Sequence, residues 1–413
     1  MSRKKLLFIG IDGMDPVITE RLMAAGELPH FSRLRSEGHY SRLATVNPPQ
    51  SPVVWASIAT GLNPGGHGIY DFIHRDPATY RPYLSLVRQE KGKFLNPVEA
   101  PTFWEKAAAK GIPATIIKWP VAFPPKACDA NVLAGLGVPD IKGNLGLYSL
   151  FTTDSSVSGE GKKGHIIHLE QRGERLIGQI PGPWTASLTT RKEATVPLEI
   201  QRTDGGIICR TGKTTFPLAL GAWSEWHGLP FDAGFFRNIT GHARFLLQSL
   251  EPHISLYMTP VNVPYESSEM RISTPPNFAD ELKNSIGPFA TLGLAEDTNA
   301  LGDEVLNEDE FLQFCNDLVD ERERMLFHEL GRFREGILAC VFDTLDRIQH
   351  MFWRFIDQSH PSHEPESAQR YRYVIDDAYR RMDGIIAKVL KDMPADTELI
   401  ICSDHGFSSF RRA

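Results

Sequence analysis

The sequence has few or none of the features that mark disulfide-rich, secreted, membrane-spanning or nucleic-acid-binding proteins. Its 413 residues include only five cysteines, none in a Cys-x-x-Cys spacing, so neither a disulfide framework nor a zinc-thiolate site is predicted. The apolar run after the basic N-terminus ends at Asp12, too early for a signal peptide, and no run approaches a membrane-spanning length. The formal net charge is −7, which argues against binding a nucleic-acid polymer. We expect a cytoplasmic globular protein without a membrane segment. Its oligomeric state is left open.

Three short apolar segments, typical of buried strands, each run into carboxylate or imidazole side chains. They are residues 5–11 with Asp12, residues 337–342 with Asp346 and His350, and residues 398–402 with Asp404 and His405. In open α/β sheets, ligands bind beyond the carboxyl ends of the strands. Asp346 and His350 are also four residues apart on a predicted helix, so they project from one face. Asp and His are ligands of divalent ions such as zinc and manganese, and the pattern predicts a metal site.

Ser51 stands at the predicted start of a helix that continues to Thr60. Pro52 suits the first turn of a helix, and serine suits the cap position. Free N–H groups and the helix dipole favour an anion at this end. The Ser51 hydroxyl would be a sixth metal ligand and a nucleophile whose pKa a bound metal lowers. A serine that serves only as a helix cap is the competing interpretation.

The alternation of apolar strands and amphipathic helices predicts an α/β fold with a mostly parallel sheet. This rhythm covers residues 1–150 and 300–413, which we expect to form one discontinuous metal-binding catalytic core. Residues 151–299 have short β-like runs separated by Gly-rich turns, and then a Pro-, Ser- and Asn-rich stretch. They predict a β-rich insertion or cap and a linker. Aromatic residues in it would line a cap that faces substrate or pack inside the insertion: Trp223, Trp226, His227, Phe231, Phe235 and Phe236.

The motifs occur in an order that resembles the alkaline phosphatase superfamily, specifically its type I phosphodiesterase/nucleotide pyrophosphatase branch. They are Ile-Gly-Ile-Asp-Gly-Met at 9–14, Ser51 with Ala-Thr-Gly-Leu-Asn-Pro-Gly-Gly-His-Gly at 59–68, Asp-x-x-x-His at 346–350, and Ser-Asp-His-Gly at 403–406. The resemblance covers about residues 1–140 and 335–413. It implies a three-layer α/β/α core with an inserted β-rich cap, and the activity of a phosphoric ester hydrolase.

The resemblance also implies roles for individual residues. Six side chains would hold two divalent ions: Asp12, Asp404 and His405 with the bridging Ser51 at one, and Asp346 and His350 at the other. Zinc is the first expectation for both ions, and manganese is the alternative. The pair would clamp the attacking and leaving oxygens of an in-line displacement, and Ser51 would form a covalent phosphoserine.

The sequence departs from the family pattern at two places. Ser-Pro-Val-Val begins at Ser51, where many phosphodiesterases of the branch have Thr followed by Phe-Pro-Asn. The family also has a further histidine shortly after Asp-His-Gly, whereas this sequence stops at Ala413. We expect a C-terminally truncated form. The alternative is that His67 or His74 completes the second metal site.

Two basic residues near strand ends are candidates for contacting the substrate phosphate. Lys118 ends one predicted strand, although a solvated lysine is the simpler interpretation. Arg347 follows Asp346 and would either neutralise substrate charge or pair with a neighbouring carboxylate.

The expected activity is hydrolysis of a small-molecule phosphate ester, a diester before a monoester. A metal-dependent phosphomutase or phosphomonoesterase of the same superfamily is the nearest alternative. A sulfatase is disfavoured, because Trp55 stands where that branch has arginine. From another class, an inactive module that binds a phosphorylated ligand is also consistent with the sequence.

Overall fold

The computed structural model describes residues 4–90, 93–185, 192–232, 238–267 and 269–409, and the chain divides into two units. Unit 1 comprises Met1–Gly137, Arg271–Gly287 and Cys315–Ala413. Unit 2 comprises Val138–Met270 and Pro288–Phe314. Within the described ranges, no helix combines the length and apolar character needed to cross a bilayer. All five cysteines are free thiols.

The described residues form short strands and helices in the following order. The strands are β1 (Lys5–Ile11), β2 (Ile73–Arg75), β3 (Pro82–Leu84), β4 (Arg88–Glu90), β5 (Lys93–Leu95), β6 (Ala114–Trp119), β7 (Asn131–Ala134), β8 (Ser149–Thr152), β9 (His165–His168), β10 (Glu170–Arg172), β11 (Arg175–Thr185), β12 (Lys192–Thr203), β13 (Gly206–Thr211), β14 (Thr214–Ala219), β15 (His227–Asp232), β16 (Asn238–Ala243), β17 (Phe245–Ser249), β18 (Ser255–Met258), β19 (Ser273–Thr274), β20 (Gly336–Phe342) and β21 (Thr397–Cys402). The helices are α1 (Pro16–Ala24), α2 (Pro29–Glu37), α3 (Ser51–Thr60), α4 (Pro64–His67), α5 (Phe103–Ala108), α6 (Phe278–Ile286), α7 (Thr298–Gly302), α8 (Glu308–Arg332), α9 (Thr344–Phe352), α10 (Pro365–Tyr371) and α11 (Val374–Asp392), with a 3-10 turn at Trp353–Phe355.

The central sheet of unit 1 has the strand order β19-β7-β6-β20-β1-β21. Only β19 runs antiparallel to its neighbour, so the prediction of a mostly parallel sheet is confirmed. The three strands singled out in the sequence are adjacent, with β1 between β20 and β21. Ile11 lies opposite Phe342, and Gly10 lies opposite Cys402. The residues that follow the three strands therefore leave the sheet at one edge.

Seven helices of unit 1 pack in two sets. One set contains α1, α2, α9 and α11, and the other contains α3, α4 and α5. Helix α3 is apolar over most of its circumference, and nearly all of its residues are buried, as expected of a helix without a solvent face. It ends at Gly61, whose φ of 73° is the left-handed conformation that glycine adopts readily.

Unit 2 is built mainly from antiparallel sheets around its own apolar core. Strands β10 to β14 form one sheet in chain order, and a second has the order β17-β18-β8-β9, in which β8 and β9 are parallel. The aromatic residues singled out in the sequence pack inside this unit where the structure describes them. Trp223 stacks on Phe314, His227 stacks on Phe216, and Phe231 is fully buried. Residues 235 and 236 lie outside the described ranges.

Candidate active site

The loops after β1 and β21 bind each other and fix two carboxylates at the sheet edge. The Asp404 Oδ1 atom accepts the N–H of Gly13 at 3.1 Å, and the Ser403 hydroxyl accepts the N–H of Met14 at 2.8 Å. The N–H of Asp12 donates to the Phe342 carbonyl at 2.8 Å, which extends the strand ladder by one residue. Asp12 is not the cap of the following helix, because Asp15 accepts the first N–H groups of α1.

The hydroxyl of Ser51 lies between a carboxylate and an imidazole. Its Oγ donates to Asp12 Oδ1 at 3.2 Å and is 3.0 Å from His405 Nε2. Ser51 is the first helical residue of α3, and Gln50 occupies the cap position instead. The N–H groups of Val53 and Val54 already bond the Gln50 carbonyl. The N-terminus of α3 therefore offers fewer amides to an anion than the sequence suggested, although its dipole still points at Ser51.

His405 is oriented by its own backbone neighbour. Its Nδ1 lies 2.8 Å from the Gly406 carbonyl oxygen, and a carbonyl can only accept, so Nδ1 carries the proton of the neutral ring. The Nε2 atom then presents a lone pair to its surroundings. It is 3.3 Å from Asp404 Oδ2 and 3.6 Å from Asp12 Oδ1. The His405 Nε2 lone pair and these two carboxylate oxygens are three acceptors that face one another, so a proton or a cation must lie among them.

Asp346 reaches the same place from the first turn of α9. One ligand atom from each of Asp12, Asp346 and His405 lies within 4.8 Å of the other two. The structure thus brings together Asp346 and two residues that the resemblance assigned to the other ion. Arg347 is buried and hydrogen-bonds Asp346 Oδ2, so the pairing of Arg347 with a neighbouring carboxylate is observed.

His350 lies at the rim of this cluster. Its Nε2 is 3.4 Å from Asp346 Oδ2, and 51% of its side chain is exposed. The ring packs edge-on against Phe407, with centroids 4.8 Å apart. The N–H of Phe407 donates to Asp15 at 3.1 Å, which fixes the segment after Asp-His-Gly at the start of α1.

The cluster is electrostatically suited to a divalent cation. Asp12, Asp346 and Asp404 are at most 2% exposed. Burial, followed by the charges of the Asp404 and Asp346 carboxylates, raises the pKa of Asp12 well above its ordinary value, and burial also raises the pKa of Asp404. Among the described residues, Asp346 Oδ1 and Asp404 Oδ2 are buried without a hydrogen-bond partner. Oxygen and imidazole donors of this kind match zinc or manganese, so the residues present fit a metal ion.

The other candidate residues lie as follows. Lys118 is buried near the end of β6, where its φ of 55° accompanies a register shift in the strand. His67 is fully buried, and its ring nitrogens engage Ser57 and the N–H of Ile69. His74 Nε2 accepts the N–H of Tyr70 at 2.9 Å. The ring nitrogens of the two histidines weighed as substitute ligands thus bond neighbouring residues of the chain: His67 bonds Ser57 of α3 and Ile69, and His74 bonds Tyr70.

Three residues near the cluster were not predicted from the sequence to support the site. Trp55 donates its indole N–H to Asp12 Oδ2 at 2.9 Å. Gln349 donates to the Gly13 carbonyl at 2.6 Å and accepts the hydroxyl of Tyr379 at 3.0 Å. Sequence spacing gives one indication of these roles: Trp55 is one helical turn after Ser51, and Gln349 is one turn after Asp346, so each lies on the same helix face as a predicted site residue. These spacings alone do not distinguish such residues from ordinary core.

The fold and the cluster agree with the comparison to known families. Residues 6–174 and 235–413 match the family model described as type I phosphodiesterase / nucleotide pyrophosphatase. The chain belongs to this family, a branch of the alkaline phosphatase superfamily, and is a phosphoric ester hydrolase by class. A comparison with curated proteins found no match.

Proposed function

We propose that this chain hydrolyses small-molecule phosphate diesters through a phosphoserine formed on Ser51. The observation that supports this proposal is the position of the Ser51 Oγ, 3.2 Å from Asp12 Oδ1 and 3.0 Å from His405 Nε2. Family membership supplies the reaction class. The phosphoserine, the diester preference and the number of ions are our own proposals.

The metal-binding residues we propose are Asp12, Asp346 and His405, with Asp404 contributing its unbonded Oδ2. His350 is the proposed ligand toward a second ion, beside Asp346. A divalent ion, zinc or manganese, would supply Lewis-acid charge that lowers the pKa of the Ser51 hydroxyl and offsets charge on the phosphoryl group.

The chain's own groups would carry the steps as follows. The Ser51 Oγ, held by its hydrogen bond to Asp12 Oδ1, attacks phosphorus, and its proton passes by way of solvent to the departing alkoxide. The bond from phosphorus to the leaving alkoxide breaks, and the alkoxide departs with the bonding pair. Water then cleaves the Oγ–P bond and regenerates the serine. The dipole of α3 favours negative charge near Ser51 throughout.

The local charge supports a diester over a monoester. A diester carries one negative charge, whereas a monoester carries nearly two near neutral pH. The cluster places three carboxylates beside a guanidinium, Arg347, that already bonds Asp346. Because Arg347 is already paired with Asp346, its positive charge is less available to offset the second negative charge of a monoester. Lys118 remains a proposed phosphate contact on the basis of its position at a strand end.

The test compares Ser51→Ala with Ser57→Ala on the same helix, using bis(p-nitrophenyl) phosphate with added zinc or manganese. Ser57 bonds the Val53 carbonyl and His67 and takes no part in the cluster. We expect Ser51→Ala to lower kcat by at least about a thousand-fold, because the covalent route is lost. Ser57→Ala should stay within a few-fold of the wild type.

Other outcomes would replace the proposal. Faster turnover of p-nitrophenyl phosphate would indicate a phosphomonoesterase. Isomerisation of a phosphosugar without release of phosphate would indicate a phosphomutase. Full activity of Ser51→Ala would rule out a phosphoserine intermediate on Ser51. Binding of a phosphorylated ligand without turnover would leave the binding-module interpretation.

A further inference from the structure

One hydrogen bond fixes the orientation of the Asp12 carboxylate. The indole Nε1 of Trp55 donates to Asp12 Oδ2 at 2.9 Å. The other oxygen, Oδ1, is the one that faces the Ser51 hydroxyl at 3.2 Å and His405 Nε2 at 3.6 Å. The two oxygens of one carboxylate thus have separate partners, and the indole determines which oxygen faces the site.

The indole is held rigidly where it makes this bond. Trp55 is fully buried, and its ring lies 5.4 Å from that of Trp119 in an edge-on contact. The Nε1 of Trp119 also donates to the Trp55 carbonyl at 3.3 Å. Because Trp55 is held by this ring contact and by the bond to its carbonyl, its side chain loses little conformational freedom when the indole bonds Asp12.

The sequence of β1 accommodates this ring. Gly10 and Asp12 are two residues apart, so their side chains would point to the same face of the extended chain. A Cβ at Gly10 would lie only 2.5 Å from Trp55 Cη2 and 3.0 Å from its Cζ3. Because Gly10 has no side chain, the indole can lie against the strand and reach Asp12.

The same helix carries the nucleophile and the indole. Ser51 and Trp55 are four residues apart on α3, so they lie on one face. A single rigid element therefore sets both the position of the Ser51 hydroxyl and the orientation of the carboxylate that this hydroxyl contacts.

We propose that Trp55 is the positioning residue of the metal site, acting through Asp12 in the space that Gly10 provides. Because the indole bonds Oδ2, Asp12 would hold the cation through Oδ1, the oxygen that faces Ser51 and His405. This inference rests on the proposed function, since it requires that Asp12 be a metal ligand. Removing the N–H frees the carboxylate to rotate and weakens the metal site without removing a ligand.

The test measures metal affinity directly, with Mn²⁺ and Zn²⁺ as probes in equilibrium dialysis against metal-free protein. Trp55→Phe removes the N–H and keeps an aromatic ring. Trp104→Phe is the matched control, because it makes the same change at a buried tryptophan of the same aromatic group, whose ring contacts Phe103 and Trp119. Loss of a partner that orients a ligand typically weakens metal binding about 10- to 100-fold. We expect that loss for Trp55→Phe and at most about a two-fold change for Trp104→Phe.

Two further variants keep the proposal testable if Trp55→Phe does not fold. Incorporation of 3-benzothienylalanine at position 55 preserves the bicyclic shape and lacks the N–H, so it should show the same weaker metal binding. Gly10→Ala should weaken binding as well, because the ring must move away. In each variant, excess metal should restore much of the diester turnover that is lost at limiting metal.

The outcomes separate this inference from the function on which it rests. A wild-type protein that binds neither ion contradicts the proposed metal site itself. A wild type that binds metal, together with a benzothienylalanine variant that binds it equally well, overturns the role of Trp55 alone. Equal weakening in Trp55→Phe and Trp104→Phe would also overturn it, since it would indicate a general packing effect.

Discussion

Gln349 joins the loop after β1 to the helices behind it. Its Nε2 donates to the Gly13 carbonyl at 2.6 Å, and its Oε1 accepts the Tyr379 hydroxyl at 3.0 Å. The Tyr379 hydroxyl in turn accepts the N–H of Asp15 at 2.7 Å. Because Gln349 is fully buried, water cannot replace these partners. The position of Gly13, whose N–H bonds Asp404, therefore depends on this amide.

Gln349→Leu should be strongly destabilising for this reason. The leucine leaves the Gly13 carbonyl without its side-chain donor and the proton of the Tyr379 hydroxyl without an acceptor, at about 1–3 kcal/mol for each group. We expect the free energy of unfolding to fall by about 2–6 kcal/mol in total, measured by guanidinium denaturation. Gln313→Leu, at an exposed position of α8, is the control and should change it by less than about 0.5 kcal/mol. An equal effect of the two substitutions would contradict the role of the buried amide.

Gly13→Ala should impair the active site, whereas Gly26→Ala should affect stability only. Both glycines have positive φ, 70° and 77°, so alanine is strained at either position by about 1–2 kcal/mol. A Cβ at Gly13 would lie 2.9 Å from Asp346 Oδ1, but at Gly26 it would meet nothing within 4 Å. We expect Gly13→Ala to lower kcat/KM for the diester about a hundred-fold, because Asp346 must shift.

Gly26→Ala is the control for backbone strain. It should lower the midpoint of denaturation and leave kcat/KM unchanged. If both variants lost activity to the same extent, strain and not displacement of Asp346 would be responsible.

The strands that carry the site could be predicted from the sequence to within one residue. The apolar segments 337–342 and 398–402 correspond to Gly336–Phe342 and Thr397–Cys402. Gly336–Phe342 is buried along most of its length, and a strand buried on both faces needs continuous apolar residues, which are visible locally. Thr397–Cys402 lies at the edge of the sheet and is only partly buried, with Ile400 44% exposed, so the expectation of a buried strand there is wrong. That Asp12 and His405 would meet follows from the rule that parallel strands present their carboxyl ends at one edge.

The contacts around these residues could not be predicted in the same way. The bond from Trp55 to Asp12 joins residues 43 apart, and the one from Gln349 to Gly13 joins residues 336 apart. The sequence pairs Asp346 with His350 through their local helical spacing, and the family resemblance assigns both to one ion. Its proximity to Asp12 depends on how α9 docks, which long-range packing decides.

Asp383→Ala should destabilise unit 1 at a distance from the active site. Helix α2 has no side-chain cap of its own. Asp383 of α11 accepts the N–H groups of His30 and Phe31 at 3.1 and 2.8 Å instead, and also contacts the His30 ring. Loss of a cap typically costs about 0.5–2 kcal/mol, and we expect the upper part of this range because Asp383 is buried. Guanidinium unfolding would measure it.

The control on the same helix is Asp377→Ala. Asp377 is exposed and pairs with Arg380 at the surface, so its loss should change the free energy of unfolding by less than about 1 kcal/mol. If Asp383→Ala were as mild as Asp377→Ala, the N–H groups of α2 would not depend on the carboxylate.

Asp297 should make the stability of unit 2 depend on pH. Burial raises its pKa from 3.8 to about 6, although the Tyr257 hydroxyl, which donates at 2.7 Å, and the N–H of Ala300 oppose the shift. The folded state therefore holds this proton more tightly than the unfolded chain. Its stabilising contribution is complete below pH 4 and is lost as the pH rises through about 6.

Asp297→Asn removes this titration and tests its sign. The difference in free energy of unfolding, wild type minus Asp297→Asn, should fall by about 3 kcal/mol between pH 4 and pH 7.5, measured by urea denaturation at each pH. Tyr257→Phe removes a bond that lowers the pKa of Asp297, so the decline should move to higher pH in that variant. Asp303 and Tyr148 are the neighbouring titratable groups and are unchanged in both comparisons. If this difference in the free energy of unfolding rose with pH instead, the folded state would favour the charged carboxylate of Asp297. That result is expected of a helix cap whose bond from the Ala300 N–H outweighs burial.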